Sequence, residues 1–199
     1  PKLLASPQYR LDFADRVHRH LFNGGALTPP AAAARYDGWA GRVELAMLAE
    51  SARWGNYRRD VHQYSSGPYL LYTPEHFAAE RARLLNDYFP VRTANLLTQL
   101  RAAGLYPATA APSFSRHGGR VAPGFRLTIT APAGTIHYTT DGSDPRTVYT
   151  GAVAGTAQTY SAPLTLEGTT LVRARVRNGT EGSALNEALF EVGTLGVQL

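Results

Sequence analysis

Asp15, His18 and His20 crowd the first helical stretch of this 199-residue chain. A carboxylate and an imidazole three residues apart share a helix face and could trade a proton. Two histidines two residues apart point away from each other, and a metal on a helix wants ligands at i and i+4, as in H-E-x-x-H. A solvated helix face explains the cluster better than catalysis does. Asp141-Gly142-Ser143-Asp144-Pro145 gathers two carboxylates and a hydroxyl in five residues. Hard oxygen donors suit calcium, but the further ligands of a D-x-D-x-D-G loop and its distal Glu are missing. Turn chemistry is the stronger reading: Asp-Gly supplies a left-handed position, and Asp and Ser side chains bond nearby backbone amides.

Arg173, Arg175 and Arg177 fall on one face of a strand, with Arg126 a candidate for the same sheet. Such a ladder can fork onto phosphates or carboxylates. It can equally keep a sheet face soluble and block edge pairing. Arginines 116, 120, 126, 146, 173, 175 and 177 oppose acids 141, 144, 167, 181, 187 and 191, so this half carries 7 − 6 = +1. That excludes a committed nucleic-acid binder. Trp54, Tyr57, Tyr64, Tyr69 and Tyr72 form an aromatic-rich stretch able to stack on sugar faces or on a partner, or to close a helical core under a long loop. Asn178-Gly179-Thr180 fits a glycosylation sequon, but a type I′ turn suffices for Asn-Gly. G-x-S-x-G, a phosphate-binding glycine loop, H-E-x-x-H and a paired catalytic carboxylate set are all absent from the sequence. No catalytic, cofactor-binding or metal-binding set is assigned.

The elements that position these residues change character near residue 107. Ser6-Pro7 caps a helix with Tyr9, Phe13, Val17 and Leu21 on one face, stopped by Asn23-Gly24-Gly25. Thr28-Pro29-Pro30 opens a second, with Tyr36, Trp39, Ala40, Val43 and Met47 as its stripe, running to about Arg53. Thr73-Pro74-Glu75 opens a third, with Phe77, Leu84, Leu85 and Tyr88. Pro90 then kinks that helix or opens a fourth, which carries Leu96, Leu97 and Leu100 and ends at Gly104. Residues 106–111 are an Ala/Thr/Pro linker. Beyond it the period is two: Phe125, Leu127 and Ile129; Ile136 and Tyr138; Val172, Ala174 and Val176; Ala188, Phe190 and Val192. Gly, Pro, Asn and Asp turns separate these runs. The expectation is three or four helices over 1–105, an antiparallel immunoglobulin-like β-sandwich over 112–193, and a tail at 194–199.

Composition narrows the class. Hydrophobic residues are 44% and charged residues 18%, which fits a globular chain rather than a disordered one. No stretch has the roughly 18–20 apolar residues of a membrane-spanning helix. The cysteine count is 0, which removes disulfides, thiolate metal sites and a cysteine nucleophile. The formal charge is +5, mild for the length. The chain opens at Pro1, without the charged start and apolar core of a secretion signal, and is expected to be a piece of a longer protein.

Thr135-Ile136-His137-Tyr138-Thr139-Thr140-Asp141-Gly142-Ser143-Asp144-Pro145 resembles the I-x-Y-T-T-D-G-S-x-P hairpin of the chitobiase/β-hexosaminidase C-terminal domain. Tyr160-Ser161-Ala162-Pro163-Leu164, Thr170 to Arg175 and Ser183-Ala184 extend the likeness over about 112–192. The resemblance implies an immunoglobulin-like, non-catalytic module in which Tyr138, Thr140, Asp141, Gly142, Ser143, Asp144 and Pro145 form a structural hairpin. The helical half, through Phe13 to Thr28, Glu50 to Gly55 and Leu84 to Arg92, is similar to the C-terminal end of CotH-kinase-like proteins. That likeness implies a bacterial, secreted or cell-envelope parent with a kinase-like fold. Its ATP and divalent metal would be held upstream of Pro1, and no residue here matches those motifs. The expected partners are neighbouring domains of the same chain, with polysaccharide or a cell-surface protein as the alternative.

Overall fold

The computed structural model describes residues 2–62 and 70–193. Helices precede strands, as the change of period implies. Helix α1 (Pro7–Leu21) begins where the Ser6 hydroxyl accepts from the Tyr9 N–H at 3.3 Å, with Pro7 in the first turn. Helix α2 (Pro29–Trp54) follows Thr28. Helix α3 (Pro74–Arg83) follows Thr73, whose N–H donates to His76 Nδ1 at 3.2 Å. Pro90 falls in the first turn of a fourth helix, one of the two expected outcomes. A π turn, Leu84–Tyr88, leads straight into helix α4 (Phe89–Ala102), and the Phe89 N–H reaches Leu84 O five residues back. Proline lacks an N–H and its ring crowds the carbonyl four residues back, so a widened turn just before it lets the helix continue. Gly104, at φ +68°, ends the run in the left-handed region, where a side chain would be strained.

The strands are β1 (Ser113–Phe114), β2 (Gly119–Val121), β3 (Phe125–Leu127), β4 (Ile129–Thr130), β5 (Thr135–Thr139), β6 (Gln158–Thr159), β7 (Leu164–Leu166), β8 (Thr170–Asn178), β9 (Glu181–Gly182) and β10 (Asn186–Val192). One sheet runs β2-β10-β8-β5-β6, with β9 paired to β8. All its pairs are antiparallel except β2 with β10. The pairs β1–β4 and β3–β7 form the opposing layer. Between the layers lie Val121, Leu127, Ile129, Tyr138, Leu166, Val172, Ala174, Ala188 and Phe190, all buried. The period-two reading therefore holds for these strands. Arg126 sits on β3, in the layer opposite Arg173, Arg175 and Arg177, so the four arginines do not share a sheet. Gly179, at φ +60°, opens the β8–β9 turn while Asn178 stays in β8. That is the pattern of a II′ turn rather than the expected I′, which needs two left-handed residues.

Two compact units divide the chain: Pro1–Asn23 with Leu97–Leu199, and Gly24–Leu96. Helix α1 thus shares a unit with the strands, and the division does not coincide with the change of period. Its buried residues are Ala14, His18 and Leu21; of the expected Tyr9, Phe13, Val17 and Leu21 stripe, Leu21 is buried and Val17 packs beside Ala14, while Tyr9 and Phe13 are only half-buried. Ala14 packs with Tyr106 and Ala184. Residues 106–111 are fastened rather than free: the Glu181 carboxylate accepts from Ala108 N, Thr109 N and the Thr109 hydroxyl. In the other unit α2 buries only Ala40. Trp39 and Val43 of its expected stripe are exposed.

Candidate functional site

Strand β8 runs through the middle of the larger sheet, so its two faces alternate strictly. Val172, Ala174 and Val176 enter the core, and Arg173, Arg175 and Arg177 point to the opposite face. Helix α1 covers that face at Arg175, which is 4% exposed. All five of its N–H groups are used. Nε donates to Asp144 Oδ1 at 2.7 Å, and Nη2 to Asp144 Oδ2 and Asp15 Oδ2 at 2.6 Å each. Nη1 donates to Asp15 Oδ1 at 2.8 Å and to Ser183 O at 3.0 Å. Asp15 Oδ1 also accepts from Leu185 N at 2.8 Å. A guanidinium this deeply buried is tolerable only when paired and fully hydrogen-bonded, and here both conditions are met. Burial works against its charge, but the hydrogen bonds and charges of Asp144 and Asp15 outweigh that and raise its pKa. Burial likewise works against ionised Asp144, and Arg175 again outweighs it, holding the carboxyl below its ordinary value.

The Asp141–Pro145 stretch is built as a turn that delivers Asp144. Asp141 Oδ1 accepts from Ser143 N at 2.8 Å and from Ser143 Oγ at 2.6 Å, Gly142 lies at φ +82°, and Pro145 is fully buried. The Thr139 hydroxyl donates to Ser143 O at 2.6 Å, and Arg173 Nη1 to Gly142 O at 2.6 Å. Asp144 faces Arg175 rather than a cation site. Among the described residues no group of three His, Asp or Glu could hold a metal. The hairpin residue Tyr138 packs in the core and donates to Gln158 Oε1 at 2.8 Å, while Thr140 is exposed.

Asp15 and His18 neither pair with each other nor lie on the solvated helix face that the sequence favours: His18 is buried and Asp15 mostly covered. Asp15 turns to Arg175, and His18 pairs through Nδ1 with the Tyr106 hydroxyl at 2.9 Å, stacking on Phe22 with ring centroids 4.5 Å apart. Burial, and secondarily the charge of His117, lowers the His18 pKa to about 4. Burial raises Tyr106 to about 12. His20 is exposed. Arg173 pairs with Glu187 at 3.0 Å, and Glu187 also pairs with Arg19. Arg177 donates to Gly179 O and Gly151 O, at 3.1 and 3.2 Å. The arginine ladder is therefore spent inside the unit. One of its partners, Asp15, lies 160 residues away in sequence, and no local spacing announces it. The usable signal was an arginine at the centre of a strand whose neighbours all read as core.

The aromatic candidates belong to the other unit. Tyr72 N donates to Gly55 O at 2.9 Å, which brings Tyr72 beside the end of α2. Trp54 and Tyr57 meet edge to face at 6.2 Å, and Tyr72 meets His76 edge to face at 5.7 Å. Trp54 and Tyr72 are exposed, and Tyr57 is half-buried. Tyr64 and Tyr69 lie outside the described residues.

Fold and site together define a class: a β-sandwich module of the immunoglobulin/fibronectin kind, clasped by a helix through buried ion pairs. Residues 125–186 match the family described as Fn3 associated, from β3 to the first residue of β10. The match supports reading the β-rich part as an accessory module. Comparison with the curated proteins and with the solved structures finds no match. Among the described residues no helix is long and apolar enough to cross a membrane.

Proposed function

We propose that this chain is a non-catalytic accessory segment in which the β-sandwich is a structural and interaction module of a larger protein. The observation that carries this reading is the saturation of Arg175. The buried set Asp15, Asp144 and Arg175 is consumed in mutual hydrogen bonds, so none of these three is free to act on a substrate. The likeness of the helical half to CotH-kinase-like proteins extends the proposal to a secreted or cell-envelope bacterial parent, with nucleotide and divalent metal held by other polypeptide. Neighbouring modules of that parent are the proposed partners.

The test is a phosphoryl-transfer assay on this chain with ATP, magnesium or manganese, and a general acceptor protein. No metal-dependent turnover above background is expected. Turnover that disappears on Asp15→Asn, with folding retained by circular dichroism, would overturn the proposal. A carbohydrate-binding alternative attaches to exposed Trp54 and Tyr72, because an exposed aromatic face suits a sugar ring. It predicts heat on titration with chitin-type oligosaccharides, lost in Trp54→Ala. Silence across a glycan panel leaves the structural reading.

A further inference from the structure

Beside the Arg175 clamp, between α1 and the start of β10, lies a cleft of about 390 Å³ with Arg16, Arg19, His18, His117, Arg173 and Glu187 in its walls. That volume is at the small end of ligand clefts and suits a body the size of one sugar ring. Most of its acceptors are already taken. Asp12, also in the wall, accepts at Oδ1 from Gln8 Nε2 at 2.7 Å and meets Arg146 Nη2 at 3.5 Å, with Oδ2 open among the described residues. Both Asp15 oxygens serve Arg175, the Glu187 oxygens serve Arg19 and Arg173, and Asn186 Oδ1 accepts from Asn23 Nδ2 at 3.1 Å and from His117 Nε2 at 3.0 Å. Its donors are not. Arg16 is exposed and has no ion pair or hydrogen bond among the described residues, and half-exposed Arg19 is engaged through Nη2 alone. His18 is 6% exposed, and its Nε2 is buried with no partner. A wall in which guanidinium N–H groups are in excess over open acceptors is complementary to a ligand that brings oxygens and negative charge.

We propose that this cleft binds a small oxyanion-bearing ligand, a carboxylate, sulfate or phosphate group on a body no larger than a monosaccharide, gripped by Arg16 and Arg19 with His117 at the rim. Its chemistry is shared by acidic sugars and by free inorganic anions, so the experiment separates them.

The labelled full chain is titrated at low salt with glucuronate, inorganic phosphate and glucose, and the side-chain and backbone resonances of residues 16, 19, 117 and 185–187 are followed. Glucuronate and phosphate are expected to shift them and glucose to leave them in place. Tighter binding of glucuronate than of phosphate would identify an acidic sugar as the ligand class, and the reverse order a free oxyanion. Exposed Arg16 anchors no other group, so Arg16→Gln is expected to fold normally and to weaken anion binding about tenfold. Equal shifts with glucose and glucuronate, no shift with either anion, or unchanged affinity in Arg16→Gln would overturn the proposal.

Discussion

In the unit formed by Pro1–Asn23 and Leu97–Leu199, Phe190, Leu127 and Val172 are sealed from solvent and a guanidinium is sealed with them. In the unit Gly24–Leu96, the 26-residue α2 buries one side chain, Ala40, while Trp39 is 60% and Leu45 79% exposed. Both units contain ion pairs, and the surroundings give them different weight. Arg175 sits between Asp15 and Asp144 under a helix, whereas Arg81 meets Asp37 at 2.6 Å and Glu44 at 3.3 Å on an accessible surface. The lesson is that an apolar or charged pattern in a helix names a face but not what lies against it. Burial turns the same pair of residue types from ornament into a clamp.

The sharpest way to break this comparison is to remove the two arginines in turn. Arg175→Leu leaves two carboxylates in a covered site and is expected to cost about 3–5 kcal/mol of unfolding free energy. Arg81→Leu is expected to cost far less, because water screens and replaces its partners. Urea unfolding of each variant against the parent chain measures both. Equal losses would mean that the clamp is not a clamp.

Next in size is the apolar core. Phe190→Ala is expected to cost about 3–5 kcal/mol, through lost transfer energy and the cavity left against Phe114 and Phe125. Trp54→Ala, at an exposed end of α2, is expected to change stability by less than about 1 kcal/mol. A reversal of this order in thermal unfolding would place the principal core in the wrong unit.

Acid sharpens the contrast through one residue. Folded His18 stays neutral down to about pH 4, because of burial first and His117 second, against an ordinary value of 6.5. Below 6.5 the unfolded chain takes up a proton that the folded chain refuses. Stability therefore falls as pH drops from about 6.5 to about 4, by on the order of 3 kcal/mol, and this contribution levels off below 4. Asp144, held below its ordinary value chiefly by Arg175 against the cost of burial, adds a further loss once pH falls below the carboxylate range. Stability of His18→Gln measured across this range is expected to lose the upper limb. An unchanged profile would show that the His18–Tyr106 contact is open in solution.

How much of this was legible in the chain follows from distance along it. Strand faces, caps and turns are written within a few residues. Val172-Ala174-Val176, Ser6-Pro7 and Asp141-Gly142 accordingly appear where their patterns place them. The π turn before Pro90 is also a local effect, but proline signals only that the regular helix must yield, and not that it resumes. The clamp was not legible. Asp15 and Arg175 are 160 residues apart, and the local neighbours of each, His18 and the alternating arginines, suggested a helix-face pair and a surface ladder instead. Tyr106 read as linker because its partner His18 is 88 residues away.

The smallest expected effect tests the other side of the comparison. Leu45 projects from α2 with 79% of its surface open, beside Gly41 and Met47 in a shallow groove against α3 residues Pro74 and Phe77. Because burial is what gives an apolar side chain its weight, Leu45→Ser is expected to shift unfolding by no more than about 0.5 kcal/mol. Leu166→Ser, a change of the same chemistry in the buried core, is expected to cost several times as much. Denaturation of the two variants side by side settles whether exposure or residue type governs. If Leu45→Ser were as damaging as Leu166→Ser, the α2 face would be covered in solution, and the two units would differ in what covers them rather than in how much they bury.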